Sequence, residues 1–122
     1  MANPNIVNVT DIRGKTYFNE LANGTYTQLV NNTVGSNAVC KINVISVTNA
    51  TGSTQTATVA IYRDPGPGPR YYDIANNVSV PNNSTLVVTS KDTSFYLEEG
   101  DILTAQANAA GLEIMVSYEI IS

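Results

Sequence analysis

The sequence contains no histidine, no tryptophan and a single cysteine, Cys40, among its 122 residues. Without histidine, the chain lacks the commonest general base and the commonest transition-metal ligand, and one thiolate cannot form a cysteine zinc site. One cysteine also excludes an internal disulfide. Cys40 lies in the run AVCKINVISV, which is typical of a strand and favours a small buried side chain over a reactive thiol.

The chain also carries few charges and no long apolar run. Charged residues make up 13% of the sequence, about half of the usual share of about 25%. The six basic residues are spread along the chain and the formal net charge is −4, so no basic stripe is available for binding nucleic acid by counterion release. The apolar runs are too short to span a membrane, and the N-terminus has neither the basic start nor the apolar core of a signal peptide. We therefore expect no nucleic acid and no membrane as partners.

Alternating apolar residues and turn-forming residues dominate the rest of the sequence. In the last segment Leu112, Ile114 and Val116 share one face with Tyr118 and Ile120, which is the pattern of a strand with one buried face. Similar segments are separated by clusters of Asn, Gly, Ser and Pro. The predicted fold class is all-β, an antiparallel and jelly-roll-like β-sandwich of eight to ten short strands. Strands are predicted over residues 6–9, 15–18, 25–30, 38–47, 56–62, 71–75, 85–90, 95–97, 102–107 and 112–120, with a turn at Asn76-Asn77.

Residues 1–13 are predicted to be an extended N-terminal arm or an edge strand, and residues 14–122 a single β-sandwich domain. Pro4 and the Asn, Val and Thr residues after it favour an extended backbone. An edge strand needs a cover, so two interpretations stay open: an ordinary edge strand, or an arm that pairs with a neighbouring subunit.

The densest group of ionisable residues, Glu98, Glu99 and Asp101, surrounds Gly100 in the segment SFYLEEGDIL. The spacing is not that of a calcium loop, and neighbouring carboxylates alone do not form a catalytic pair. We predict a corner between two strands, with the charges left in solvent. With no nucleophile elbow and no phosphate-binding glycine loop in the sequence, we expect a protein that is not an enzyme and has no cofactor and no metal site.

The segment RDPGPGPRYY, residues 63–72, alternates Pro and Gly. It is predicted to connect two strands, either as a plain protruding loop or as a contact loop. Arginine and tyrosine are enriched in interfaces, so the contact interpretation rests on Arg63, Arg70, Tyr71 and Tyr72.

Three segments carry a resemblance to a known family: the opening MANPNIVNVTDIRGKT, the run VPNNSTLVVTSKDTSFYLEEGDIL and the closing EIMVSYEII. They resemble small virion structural proteins of tailed bacteriophages, especially phages of cyanobacteria, over residues 1–122. The resemblance implies a location in the virion, after assembly in the cytoplasm of the host bacterium, and no catalytic residues.

From the resemblance and the composition we expect a capsid decoration or cement subunit, a homo-oligomer (a trimer) that binds the major capsid protein or other virion proteins. The arm, Asn3 to Thr10, is expected to add strand hydrogen bonds to a neighbour. Alternatives are a tail, neck or fibre component, a hydrolase acting through one carboxylate, or a carbohydrate-binding module that uses Tyr62, Tyr71 and Tyr72. The missing tryptophan argues against the carbohydrate-binding module. The candidate partner-binding residues are Asn3, Pro4, Asn5, Ile6, Arg63, Arg70, Tyr71 and Tyr72.

Overall fold

The computed structural model describes residues 9–63 and 69–122, and within them the chain is an all-β sandwich, as the alternation predicts. The described residues form nine strands and one short 3-10 helix, Lys91–Thr93. Their arrangement in two packed antiparallel sheets confirms the predicted fold class. The strands are β1 (Ile12–Glu20), β2 (Thr27–Asn31), β3 (Val39–Asn49), β4 (Gln55–Arg63), β5 (Arg70–Val80), β6 (Ser84–Thr89), β7 (Phe95–Leu97), β8 (Ile102–Ala107) and β9 (Leu112–Ile121).

The strand order is that of a jelly roll. Sheet A has the order β1-β9-β3-β6, with β7 also paired to β3, and sheet B has the order β2-β8-β4-β5. The pairs are nested: β4 with β5, β3 with β6 and β7, β2 with β8, and β1 with β9. The chain is thus one long antiparallel ribbon, with its tip between β4 and β5, rolled into two facing sheets.

The core lies between the two sheets and is built from the apolar faces of the alternating strands. In β9, Leu112, Ile114 and Val116 are buried, as predicted, and Tyr118 and Ile120 pack against the core from its margin. Burying each such aliphatic side chain contributes about 1.5–3 kcal/mol to stability. This burial holds the described part of the sandwich together without a disulfide.

The turn predicted at Asn76-Asn77 is wrong, because β5 runs through both residues. Asn77 has a φ of 49°, and the pairing register between β4 and β5 shifts there. The Asn77 backbone N–H donates to Thr58 Oγ1 at 2.9 Å. Asn tolerates this left-handed conformation, so the residue forms a β-bulge within a strand instead of ending it.

The sequence predicts further elements that fall outside the described residues. Asn3, Pro4, Asn5 and Ile6 lie there, with most of the strand predicted over residues 6–9 and most of the PGPGP segment. The two strands that flank this segment are paired, with Arg63 opposite Arg70. In the described part of the chain no helix is long and apolar enough to cross a membrane.

Candidate functional site

The acidic corner lies where β7 leads into β8. Asp101 is fully buried, and Arg63, at the end of β4, donates from Nε to Asp101 Oδ1 at 2.7 Å and from Nη2 to Oδ2 at 2.5 Å. The same Nη2 donates to Glu98 Oε2 at 3.0 Å, and the Glu98 backbone N–H donates to Asp101 Oδ2 at 2.8 Å. The buried carboxylate is therefore paired in two-pronged geometry with an arginine, which is its strongest type of partner.

The prediction of a corner is confirmed, but the prediction that its charges stay in solvent is wrong for Asp101 and Glu99. Both are buried. Glu99 accepts hydrogen bonds from the backbone N–H groups of Asn37, at 2.7 Å, and Gly35, at 3.2 Å. Asp101 can be buried because β4 pairs with β8, which brings Arg63, 38 positions earlier in the sequence, to the corner.

The hydrogen bonds and ion pairs of the acidic corner have a structural role. The hydrogen bond to Asp101 raises the pKa of Arg63 above its ordinary value, against the opposing effect of burial. Both buried carboxylates hold hydrogen-bond partners that fix the corner and the connection between β2 and β3. In residues 9–63 and 69–122, no three acidic or cysteine side chains form a group that could hold a metal ion.

The structure places the four described candidate contact residues in three different environments. Arg63 is engaged in the corner. Arg70 lies over the ring of Tyr72, with its guanidinium carbon 4.8 Å from the ring centroid. Tyr71 lies next to Tyr72 in β5 but on the opposite face of sheet B, because side chains alternate along a strand. Their role in binding a partner stays a prediction.

Within the part of the chain that the structure describes, the long strand β1 is an open edge of sheet A. It pairs with β9 in unbroken register, from Ile12 opposite Ile121 to Glu20 opposite Glu113. Asp11 and Ser122 exchange N–H to C=O hydrogen bonds, and the Leu21 N–H donates to the Leu112 carbonyl. Hydrogen bonding alternates along an antiparallel pair, so the odd-numbered residues of β1 bond to β9. The even-numbered residues Ile12, Gly14, Thr16 and Phe18 direct their N–H and C=O groups away from the sheet.

Among the described edge strands of five residues or more, β1 is the one without a register break; the three-residue β7 also pairs in unbroken register with β3. The pairings of β2, β5 and β6 with their neighbours each contain a register shift. Such bulges protect an edge from pairing with another chain. The edge of β1 has no such protection and presents a regular row of backbone donors and acceptors.

A row of three apolar side chains, interrupted by Ser46 and called here the apolar row, crosses the outer face of sheet A from this open edge. Phe18 lies opposite Met115, which lies opposite Ser46, which in turn lies opposite Val87. Phe18 is 72% exposed and Val87 is 59% exposed. Large apolar side chains aligned on an exposed sheet face mark a surface suited to contact with another protein.

The outer face of sheet B carries a concave surface, the tyrosine groove, of about 290 Å³. It is lined by Tyr26, Gln28, Tyr62, Tyr71, Ile102 and Thr104. The rings of Tyr26 and Tyr71 are stacked with their centroids 4.0 Å apart, and Tyr62 lies 4.8 Å from Tyr71 at 55°. The sequence pattern singled out Tyr62 and Tyr71 but missed Tyr26, because no local signal links it to a residue 45 positions later.

No protein-family model matches the chain, and no curated protein matches it.

Proposed function

We propose that this chain is a non-enzymatic structural subunit of a bacteriophage virion, a capsid decoration or cement protein that bridges major capsid proteins. The resemblance of its opening, central and closing segments to small virion proteins supports this function. The buried carboxylates of the acidic corner, Glu99 and Asp101, are bound within the chain and serve its structure. Fold alone does not indicate function, so the proposal depends on surfaces.

The observation that carries the proposal is the open edge of β1. An unbulged nine-residue edge strand accepts an added strand through backbone hydrogen bonds, whatever the side chains of that strand are. The apolar row that begins at Phe18 adds area for contact on the adjacent face. The partner strand in this proposal is the N-terminal arm of a neighbouring subunit.

An arm-to-edge contact is heterologous, because each subunit gives one surface and receives another. Contacts of this kind form a ring when the rotation between subunits closes. We propose closure at three subunits. Repetition of the trimer over a symmetric shell makes the binding multivalent, so that each single contact with the capsid needs only modest affinity.

Two measurements test this function. Multi-angle light scattering of the purified protein is expected to give three times the chain mass of 13.0 kDa, and a variant lacking residues 1–9 is expected to give the monomer mass with an unchanged circular dichroism spectrum. Cryo-electron microscopy of the particle is expected to show density for this chain on the capsid exterior. A strictly monomeric full-length chain contradicts the trimer, and density only at the tail, neck or fibres rejects the capsid location.

A further inference from the structure

The tyrosine groove is built by side chains from opposite edges of sheet B. Tyr26 immediately precedes the strand β2 and Tyr71 belongs to β5, and these two strands are separated by β8 and β4. Three strand spacings amount to about 14 Å, yet the two rings are in stacking contact at 4.0 Å. Both side chains therefore lean inward over the middle strands.

The residues beneath the stack make room for it. Ala60 in β4 and Thr104 in β8 lie opposite each other and are buried on the outer face of the sheet, 0% and 3% exposed. The Thr104 hydroxyl is held by donating to the Ala60 carbonyl at 2.9 Å. Thr104 is one of the lining residues, so a larger side chain at this position would fill part of the groove.

The lining combines aromatic faces with uncharged polar groups. Gln28 and the tyrosine hydroxyls can both donate and accept hydrogen bonds. Tyr26 is hydrogen bonded to Gln106, and its pKa is raised first by burial and then by the nearby carboxylate of Asp73. Asp73, opposite Ala60, supplies one strong acceptor close to the groove. The facing sides of the Tyr26 and Tyr71 rings cover each other, so a ligand would pack on the remaining aromatic surface of the lining, beside several hydrogen-bonding partners for hydroxyl groups.

We propose that the tyrosine groove is a binding site for a neutral saccharide of one or two rings. A sugar ring has an apolar C–H face that packs on an aromatic ring and equatorial hydroxyls that bond to amides and carboxylates. The volume of about 290 Å³ is just below the range of drug-sized ligand sites, about 300–1,000 Å³, which suits a ligand as small as one or two sugar rings. This inference is independent of the role in the virion.

An extended proline-rich peptide is the competing occupant, since aromatic grooves also bind polyproline II helices. Such a helix rises about 3.1 Å per residue and needs an open channel along several residues. The tyrosine groove is compact, and two of its three rings are stacked on each other rather than spaced along a channel. The geometry favours the saccharide.

Saturation-transfer-difference NMR tests the proposal with the methyl glycosides of glucose, galactose, mannose and N-acetylglucosamine as probes. We expect at least one of them to bind with a dissociation constant of about 1 mM. The variant Tyr71→Ala is expected to weaken that binding at least about tenfold. Tyr72→Ala is the matched control, because Tyr72 is the next residue, is equally exposed (41% against 40%) and lies on the opposite face.

Four outcomes overturn the proposal. They are no binding of any probe by the wild-type protein, binding that Tyr71→Ala leaves unchanged, an equal loss in Tyr72→Ala, and binding of a decaproline peptide in place of every glycoside. Circular dichroism of both variants shows whether they are folded. If Tyr71→Ala is unfolded, Gln28→Ala provides the second test, because Gln28 is an exposed lining residue whose amide can bond to sugar hydroxyls; it is expected to reduce saccharide binding, and unchanged binding overturns the proposal.

Discussion

At the scale of single residues, the ion pair between Arg63 and Asp101 determines how the acidic corner behaves. Asp101 has no exposed surface, while the Arg63 side chain keeps 34% of its own. Removing one partner of such a pair leaves a buried charge without compensation, which costs far more than the intact pair contributes to stability. The corner therefore depends on a residue that the sequence places in a different strand.

Replacing Arg63 with Met is expected to lower the free energy of unfolding by about 3 kcal/mol. Urea denaturation followed by circular dichroism at pH 7 measures it. Arg13→Met is the matched control, because Arg13 and Asp11 form an exposed pair, with side chains 64% and 53% exposed, and such pairs contribute about 0–1 kcal/mol. Equal losses in the two variants would show that Asp101 is not stabilised by its arginine.

Burial of weak acids in the core predicts loss of stability at alkaline pH. Burial raises the pKa of Cys40 above its ordinary 9.0 and the pKa of Tyr118 above its ordinary 10.0. Between the unfolded and the folded pKa, the unfolded chain has lost a proton that the native chain keeps, so rising pH favours unfolding. The stability that depends on both Cys40 and Tyr118 staying protonated is complete below pH 9.0 and is lost as pH rises through their pKa values in the folded protein.

Urea denaturation at a series of pH values from 7 to 10 is expected to show this decline beginning near pH 9. Cys40→Ala is less stable at every pH because it leaves a cavity, but its decline between pH 9 and pH 10 is expected to be shallower. A wild-type stability that is flat up to pH 10 would contradict the assignment, as would an unchanged slope in the variant.

At the scale of elements, most strands could be predicted from the sequence because alternation reports directly on burial. The bounds of β7 and β8 agree with the predicted segments residue for residue. Which strands lie side by side could not be predicted, since alternation shows the face of a residue and not its neighbour. The approach of Arg63 to Asp101 and of Tyr26 to Tyr71 depends on strand order, so neither contact could be predicted from the sequence.

The backbone N–H groups of β1 point alternately toward β9 and away from the sheet, which allows a specific test of strand addition. Proline removes a backbone N–H and is tolerated in an edge strand only where that N–H points away from the sheet. The N–H of Thr16 points outward in β1, whereas Lys15 bonds to Tyr118 of β9. Thr16→Pro is therefore expected to stay folded but to lose self-association.

Lys15→Pro is the control in the neighbouring position. It removes a hydrogen bond of the β1–β9 ladder and is expected to be less stable than Thr16→Pro by about 1 kcal/mol. Light scattering and urea denaturation of the two variants separate the effects on assembly and on stability. An oligomer that persists in Thr16→Pro would show that the open edge of β1 is not the assembly surface.

At the scale of the whole molecule, the jelly roll pairs its first described strand with its last. β1 pairs with β9 along nine residues, and β9 in turn separates β1 from β3 in sheet A. These pairings therefore join strands that are far apart in the sequence, and they cannot form early as local contacts. The closing of a long loop has to precede these contacts, and its entropy cost is not recovered until they form.

This topology predicts slow refolding. All-β domains dominated by distant pairings fold in milliseconds to seconds, and we expect the main refolding phase in this range at 25 °C. The seven tyrosines provide an intrinsic fluorescence signal for stopped-flow measurement in the absence of tryptophan. Interrupted unfolding removes any phase of tens of seconds that comes from proline isomerisation, so the remaining phase reports on strand pairing. A main phase faster than a millisecond would mean that local contacts, and not the pairing of β1 with β9, limit the formation of the sandwich.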